Sequence, residues 1–350
     1  MTQGTRGIIK AVAARALRTR SSHLFIALAA FGVLILIKDP GYYSVNNLRV
    51  VGLNASAEAI GAVGTAFLMI AGGIDLSISS IFLAAGFCSA GLANHTPAVV
   101  AIVGGIVFSA AVGAINGILV WRIRVSPLIV TLGSLTLIAG VVEVVTQGED
   151  VIPSGQTFLN FGQSSPLGVP TLVWAAVVLA VASGIVLSKT TIGSHIYAIG
   201  GNREASELAG VRVRRLVLGL FVFAGTTAGL AGIMTTARFA VADITFGTNY
   251  NLDVITAVLL GGVAFTGGEG TIGGVMMGVV FLNVIQSGII ALGINPYYSD
   301  AISGAALVVS VGLEQLTKER NARLRRSIAL AEMAALEADS VVTQAQRSTT

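Results

Sequence analysis

Ten apolar runs, at about 23–37, 49–72, 77–93, 97–120, 127–147, 171–188, 216–237, 252–266, 271–292 and 298–316, decide what this chain can become. Apolar runs of roughly 18 or more residues with almost no charge are read as membrane-crossing helices. In hydrocarbon only a helix or a closed barrel satisfies its own backbone N–H and C=O groups, and barrel strands are shorter and alternate polar with apolar. Continuous runs therefore predict an all-α polytopic membrane protein with about ten transmembrane helices. Composition agrees, because 54% of the residues are hydrophobic and 11% charged, against about 25% charged in soluble domains. The 43 glycines suit helices that approach one another closely. The first run is short, but the basic stretch before it extends the helix. No small-residue cleavage site follows, so an uncleaved first span is predicted.

Charge then orients the chain. With the N terminus inside, eighteen of the twenty-one Lys and Arg fall on the cytoplasmic side, and only Lys38, Arg49 and Arg238 fall elsewhere. Three divisions result: a basic cytoplasmic segment at 1–22, a membrane domain at 23–316, and a cytoplasmic tail at 317–350. The net charge of +4 follows from this inner-side bias, not from nucleic-acid binding. The basic start of the tail suits anionic lipid headgroups. The lone cysteine, Cys88, excludes a disulfide within the chain and reads as a small buried side chain. The external segment 148–170, without Lys or Arg, reads as a contact for a partner or as a connector.

Between two apolar runs lies "SHIYAIGGNREASELAGVRVRR", residues 194–215. Gly200 and Gly201 free the backbone to turn, and Asn202 is a favoured N-cap. Glu204 stands in the first turn, where the helix dipole favours negative charge. "REASELA" gives about two helical turns, with Ala205, Leu208 and Ala209 on one side and Arg203 and Glu207 among the charged positions. Gly210 is placed to end the helix. The prediction is a short amphipathic helix at the cytoplasmic surface; a solvated loop with an incidental helix is the plainer alternative.

Machinery for chemistry is not found. "GIVLSKT" at 184–190 lacks the second glycine of a phosphate-binding loop, and no strand precedes it. "GEGTIG" at 268–273 fits a dinucleotide pattern, yet it too follows no strand and reads as a glycine-rich break between spans. The three histidines sit at span edges, no metal-binding spacing occurs, and no acid–base pair can be assigned. The chain reads as a non-enzyme with no cofactor or metal of its own.

Ionisable groups inside a bilayer cost about 2.5–3.5 kcal/mol for an aspartate at mid-helix on insertion scales, so each is a functional candidate. Asp75 follows a double glycine and precedes Leu76 and Ser77, which predicts a broken helix there. Its role is either a structural cap or contact with a permeating solute. Glu58 lies deeper in its run with Asn54 four residues before it, on the same face of a helix. A carboxylate and an amide there suit hydroxyl-rich ligands as well as interhelical hydrogen bonds. Asp253 and Glu269 flank the eighth run. Asn116, Glu143, Asn283 and Gln286 read as packing or helix-end groups.

Three separated segments carry a resemblance. "YAIGGNREASELAGVRV" resembles the cytoplasmic motif of ribose-type permeases, the membrane subunits of bacterial ATP-binding-cassette sugar importers. "GGIDLSISS" at 72–80 and "LDVITAVLLGGVAFTGGEGTIGG" at 252–274 resemble two further signatures of that family, in the same order. The resemblance covers the chain from about 25 to 316. It implies a ten-span, vitamin-B12-permease-like (type II) permease in the inner membrane, paired with a second permease copy as a homodimer. A cytoplasmic ATPase that binds the ATP and an extracytoplasmic sugar-binding protein would complete the importer. It also implies that Gly200, Gly201, Asn202, Arg203, Glu204, Ala205, Glu207 and Gly210 form the coupling element to the ATPase. Asn54, Glu58, Asp75, Ser77 and Asp253 are expected on the translocation path or its gate. The same superfamily includes branched-chain amino-acid permeases, and a gradient-driven carrier is a third reading.

Overall fold

The computed structural model describes residues 20–312, together with 315, 316 and 319. Most of the basic segment expected at 1–22, and the tail expected from 317 apart from Glu319, lie outside the described residues. The described residues through Leu307 form one compact unit, and the described residues from Val308 belong to a second. Each of the ten apolar runs contains a helix. In chain order these are α1 (Arg20–Lys38), α2 (Val45–Ile70), α3 (Ile78–Ala93), α4 (Ala98–Arg122), α5 (Pro127–Thr146), then a short α6 (Gln156–Gln163) and α7 (Thr171–Lys189). Two surface helices follow, α8 (Thr191–Gly201) and α9 (Arg203–Leu208). The chain then forms α10 (Val213–Phe239), α11 (Tyr250–Leu260), α12 (Ile272–Ala291) and α13 (Tyr298–Gly312). Among the described residues the one β contact is an isolated bridge between Val151 and Ala242.

Six of these helices, α2, α4, α5, α7, α10 and α12, are long and apolar enough to cross a membrane, so the chain is an all-α multi-pass membrane protein. α3 and α11 have 16 and 11 residues, about 24 and 16 Å at 1.5 Å per residue. Both are short of the roughly 30 Å hydrocarbon core. Short helices survive at membrane depth when protein surrounds them, and nearly every residue of α3 is buried.

The centre is α10, which packs against α4, α3 and α2. The buried face of α4 carries Gly105, Ser109, Gly113 and Gly117, each four residues from the last. In a helix that spacing makes a single stripe. A Cβ at Gly113 would run into the carbonyl of Phe221, and one at Gly225 into that of Ser109, so the two backbones meet without side chains between them. Without a hydrophobic force between helices in lipid, such close packing is what holds them together. Gly232 of α10 meets the Phe82 carbonyl of α3 in the same manner. The segment 148–170 is not a loose connector: Phe158 of α6 is 1% exposed, and Gly162 lies on the backbone of α10 at Met234 and Ala237.

Candidate functional site

α9 is built as its residues predict. The Asn202 side chain accepts a hydrogen bond from the Ala205 N–H at 2.9 Å, and Gly210 follows the helix at φ +83°. The Val211 N–H returns to the Ser206 carbonyl at 3.0 Å, closing the C-terminus. The inward side differs from expectation. Ala205, Leu208 and Ala209 are exposed, Leu208 to 90%, while Ser206 is the buried residue. The Ser206 hydroxyl donates to the Asn202 carbonyl at 2.8 Å, so its burial orphans no polar group. Arg203, Glu204 and Glu207 point outward, and Arg203 and Glu207 form an exposed i, i+4 pair at 3.6 Å. Such a pair adds only a few tenths of a kcal/mol.

The linkage of α9 to its neighbours is tight on both sides. Thr190 ends α7 and caps α8 through the Gly193 N–H at 3.3 Å, and Asn202 alone separates α8 from α9. At the end of α8 the three sequence motifs converge. A Cβ at Gly200 would collide with the Ile70 carbonyl and the Gly268 N–H, which hydrogen-bond each other at 2.8 Å. Gly72, at φ +80°, lies against Gly200, and Gly267, at φ +84°, against Gly72. Tyr197 of α8 donates its hydroxyl to the Gly270 carbonyl at 2.6 Å. Segments near 70, 200 and 268 thus share one junction of bare backbone. No local rule in the sequence signals that contact; only the glycine pairs in each motif hint at it.

From this junction a chain of polar groups runs into the bundle. α2 stops at Ile70 and α3 begins at Ile78, the break expected around Asp75. Asp75, fully buried, accepts from the Ser77 N–H at 2.8 Å and from the Ser77 hydroxyl at 2.5 Å. The Asn116 amide of α4 donates to the Ser77 oxygen at 2.8 Å, and the Ser134 hydroxyl of α5 donates to Asn116 at 2.5 Å. Asn116, read from the sequence as packing, is therefore the link between α4, α5 and the break. The second Asp75 oxygen, Oδ2, is buried without a hydrogen-bond partner.

The other membrane carboxylates lie elsewhere. Glu58 of α2 accepts from the Asn283 amide of α12 at 2.5 Å, and its Oε1 is buried without a partner. Gln286, one turn along α12, donates to Asp253 at 3.2 Å and to Ser303 at 2.9 Å. Tyr250 reaches the Ala57 carbonyl at 3.0 Å. Asn54 does not join them: it is exposed and accepts from Arg238 at 3.0 Å. Glu58 and Asp253 thus knit α2, α11 and α12 together, whereas Asp75 and Ser77 connect to the junction beneath α9.

Beside α9 a groove of about 430 Å³ is lined by Trp121, Arg124, Ser126, Arg203, Glu207 and Arg214. The Arg214 guanidinium lies 4.3 Å over the Trp121 ring. The surface around α9 therefore offers both charge signs, an aromatic ring and one exposed leucine.

Residues 51–311 match the family described as branched-chain amino acid transport system / permease component. The chain is 35% identical to the ribose import permease protein of Escherichia coli (strain K12), over 82% of this chain and 91% of that protein. It is 33% identical to the L-arabinose ABC transporter permease protein of Azospirillum brasilense, over 87% of this chain and 90% of that one. Identity to the D-allose transport system permease protein of Escherichia coli (strain K12) is 31%, over 84% and 90%. No solved structure matches the chain.

Proposed function

The chain belongs to the family of branched-chain amino acid transport system permease components, and on that premise we propose that it is the membrane subunit of an ATP-driven importer of a monosaccharide. The relatives named above are sugar permeases that align along most of their length, which favours the sugar branch over the amino-acid branch. Transport, not catalysis, is the activity; ATP hydrolysis belongs to a separate cytoplasmic ATPase, and delivery to an extracytoplasmic sugar-binding protein. The permease acts as a pair of copies in the inner membrane, ten spans each in the type II arrangement, with both termini cytoplasmic. α1, α3, α11 and α13 complete the count beside the six long helices, α3 and α11 as short, protein-covered spans.

The observation that carries this reading is the junction of Gly72, Gly200 and Gly268 directly behind an exposed helix. α9 is the part that the ATPase grips: Arg203, Glu204 and Glu207 supply charge, and Leu208 supplies an apolar anchor of the kind that interface hot spots use. Asn202 and Gly210 fix its ends, Ala205 leaves its approach uncluttered, and Gly201 ends α8 just before it. When the ATPase closes, displacement of α9 passes through α8 into the Ile70–Gly72 turn and the 267–270 loop. There it reaches Asp75, Ser77 and Asn116, the groups placed to change the path. Glu58 and Asp253 hold the α2–α11–α12 side, and Asn54 stands near the opposite mouth.

Glu204 stands exposed in the first turn of α9. Glu204→Lys is expected to leave membrane insertion and stability near wild type, since exposed substitutions typically stay within about 0.5 kcal/mol. It should also cut uptake about tenfold, the effect of losing about 1.4 kcal/mol at the docking contact. Membrane levels by immunoblot and initial uptake rates check this; normal uptake by the variant would remove the coupling role.

A further inference from the structure

A second groove, of about 290 Å³, opens between α3, α5 and the 3-10 turn Ile244–Gly247. Its polar groups are Ser79, Ser80, Glu143, Thr245 and Thr248, and its apolar floor is made by Leu83, Leu135 and Ala139. The turn is fitted closely against α3, for a Cβ on Gly247 would stand 3.0 Å from the Ser79 carbonyl.

Glu143, exposed one turn before the end of α5, brings a carboxylate to this groove. Its neighbours on the outward surface of α5 are apolar: Leu137, Val141, Val144 and Val145 are each more than half exposed. Glu143 is the one charged side chain in that part of the helix. Among the described residues it has no hydrogen-bond or ion-pair partner, yet it lines the groove. We propose that the groove is a subsite for the transported monosaccharide, holding its hydroxyls with Glu143, Thr245, Thr248 and the α3 serines. The proposal rests on the sugar-permease reading and names where in the chain that solute is held.

The hydrogen-bond directions specify the ligand. The Thr245 hydroxyl donates to Asp243 at 2.8 Å and the Ser80 hydroxyl to the Ser77 carbonyl at 2.9 Å. Both hydroxyls have committed their proton and keep only acceptor capacity, and the Glu143 carboxylate, when ionised, is an acceptor only. An acceptor-rich rim suits the O–H donors of a polyol, and the apolar floor suits the C–H face of a sugar ring. No Lys or Arg lines the groove, so nothing there pairs with the carboxylate of an amino acid. The volume, just under the roughly 300 Å³ at which pockets for drug-sized ligands begin, fits one small solute. An open site of this kind binds weakly enough to release what it admits, as a transport path requires. Ser80 also joins the groove to the chain from Asp75 to Ser134 through the Ser77 backbone, so movement of the junction reaches it.

The test is uptake of labelled ribose, L-arabinose and D-allose by cells carrying the complete importer. For the sugar that the wild type takes up, Glu143→Leu and Thr248→Val are expected to lower uptake about tenfold, as loss of one or two hydrogen bonds to a charged or hydroxyl partner would. Glu143→Gln, which keeps hydrogen bonding, should recover part of it, and Val145→Thr on the outward surface should change nothing. In a Cys88→Ser chain, which removes the sole native thiol, maleimide labelling of Glu143→Cys should slow while that sugar is being transported. Uptake within twofold of wild type in both Glu143→Leu and Thr248→Val would overturn the subsite, as would labelling indifferent to sugar. Absence of uptake of all three sugars by the wild type would overturn the sugar reading, and the subsite with it.

Discussion

Replacing Gly200 by alanine is expected to abolish transport, while the same replacement at Gly201 should leave it intact. The two glycines are adjacent, yet a Cβ at Gly200 meets the Ile70 carbonyl and the Gly268 amide, whereas one at Gly201 meets nothing within 4 Å. Neither obstacle is the end of a flexible side chain, so the backbone at the junction must part. Overpacking of this kind costs about 1–3 kcal/mol. The loss of uptake is larger than that figure alone implies, because the contact through which α9 reaches the break at Asp75 opens. Gly201→Ala at the end of α8 stays within about 0.5 kcal/mol of wild type. Thermal unfolding of the purified proteins and initial uptake rates in cells separate the two positions. Equal behaviour of Gly200→Ala and Gly201→Ala would show that the junction transmits nothing.

The second large effect is at Asn116. Asn116→Leu keeps the branching and heavy-atom count of the side chain but leaves the Ser77 hydroxyl without its incoming donor and Ser134 without its acceptor. An orphaned buried polar group costs about 1–3 kcal/mol. Ser77 is fully buried and keeps its own bond to Asp75, so losing the incoming donor costs it the lower part of that range, whereas Ser134 is half-buried and turns elsewhere. The variant should unfold earlier than wild type and also lose uptake, since α4 and α5 are no longer tied to the Asp75 break. Asp75→Asn is the milder companion. It retains an acceptor for the Ser77 N–H and removes the carboxylate, whose Oδ2 has no partner. Reduced uptake with unchanged stability is expected there; unchanged uptake and stability would remove Asp75 from both gate and path.

The sequence made the membrane class plain because each apolar run must satisfy its backbone within itself, and a helix is the local way to do so. α9 was legible for a similar reason: Asn202 and Gly210 act within four residues of their own position. Its buried side was not, since six residues make too short a helix to define a stripe, and Ser206 buried itself by bonding back to Asn202. Asn54 and Glu58 illustrate a further gap. A four-residue spacing places them on one face, but their partners, Arg238 and Asn283, come from different helices far along the chain. The glycine junction and the Asp75–Ser134 chain are likewise contacts between segments from 18 to roughly 200 residues apart. Local spacing carries no information about such pairings. Glu143 shows the same gap, for the 244–248 turn that faces it comes from about 100 residues further along the chain.

The central claim is ATP-driven import of a sugar through this chain. The most direct measurement is uptake of labelled ribose, L-arabinose, D-allose and leucine by cells with and without it, before and after ATP depletion with ion gradients maintained. Deletion is expected to abolish uptake of one sugar, ATP depletion to do the same in wild-type cells, and leucine uptake to be unaffected. Loss of leucine uptake on deletion, or chain-dependent sugar uptake that survives ATP depletion, would contradict that claim.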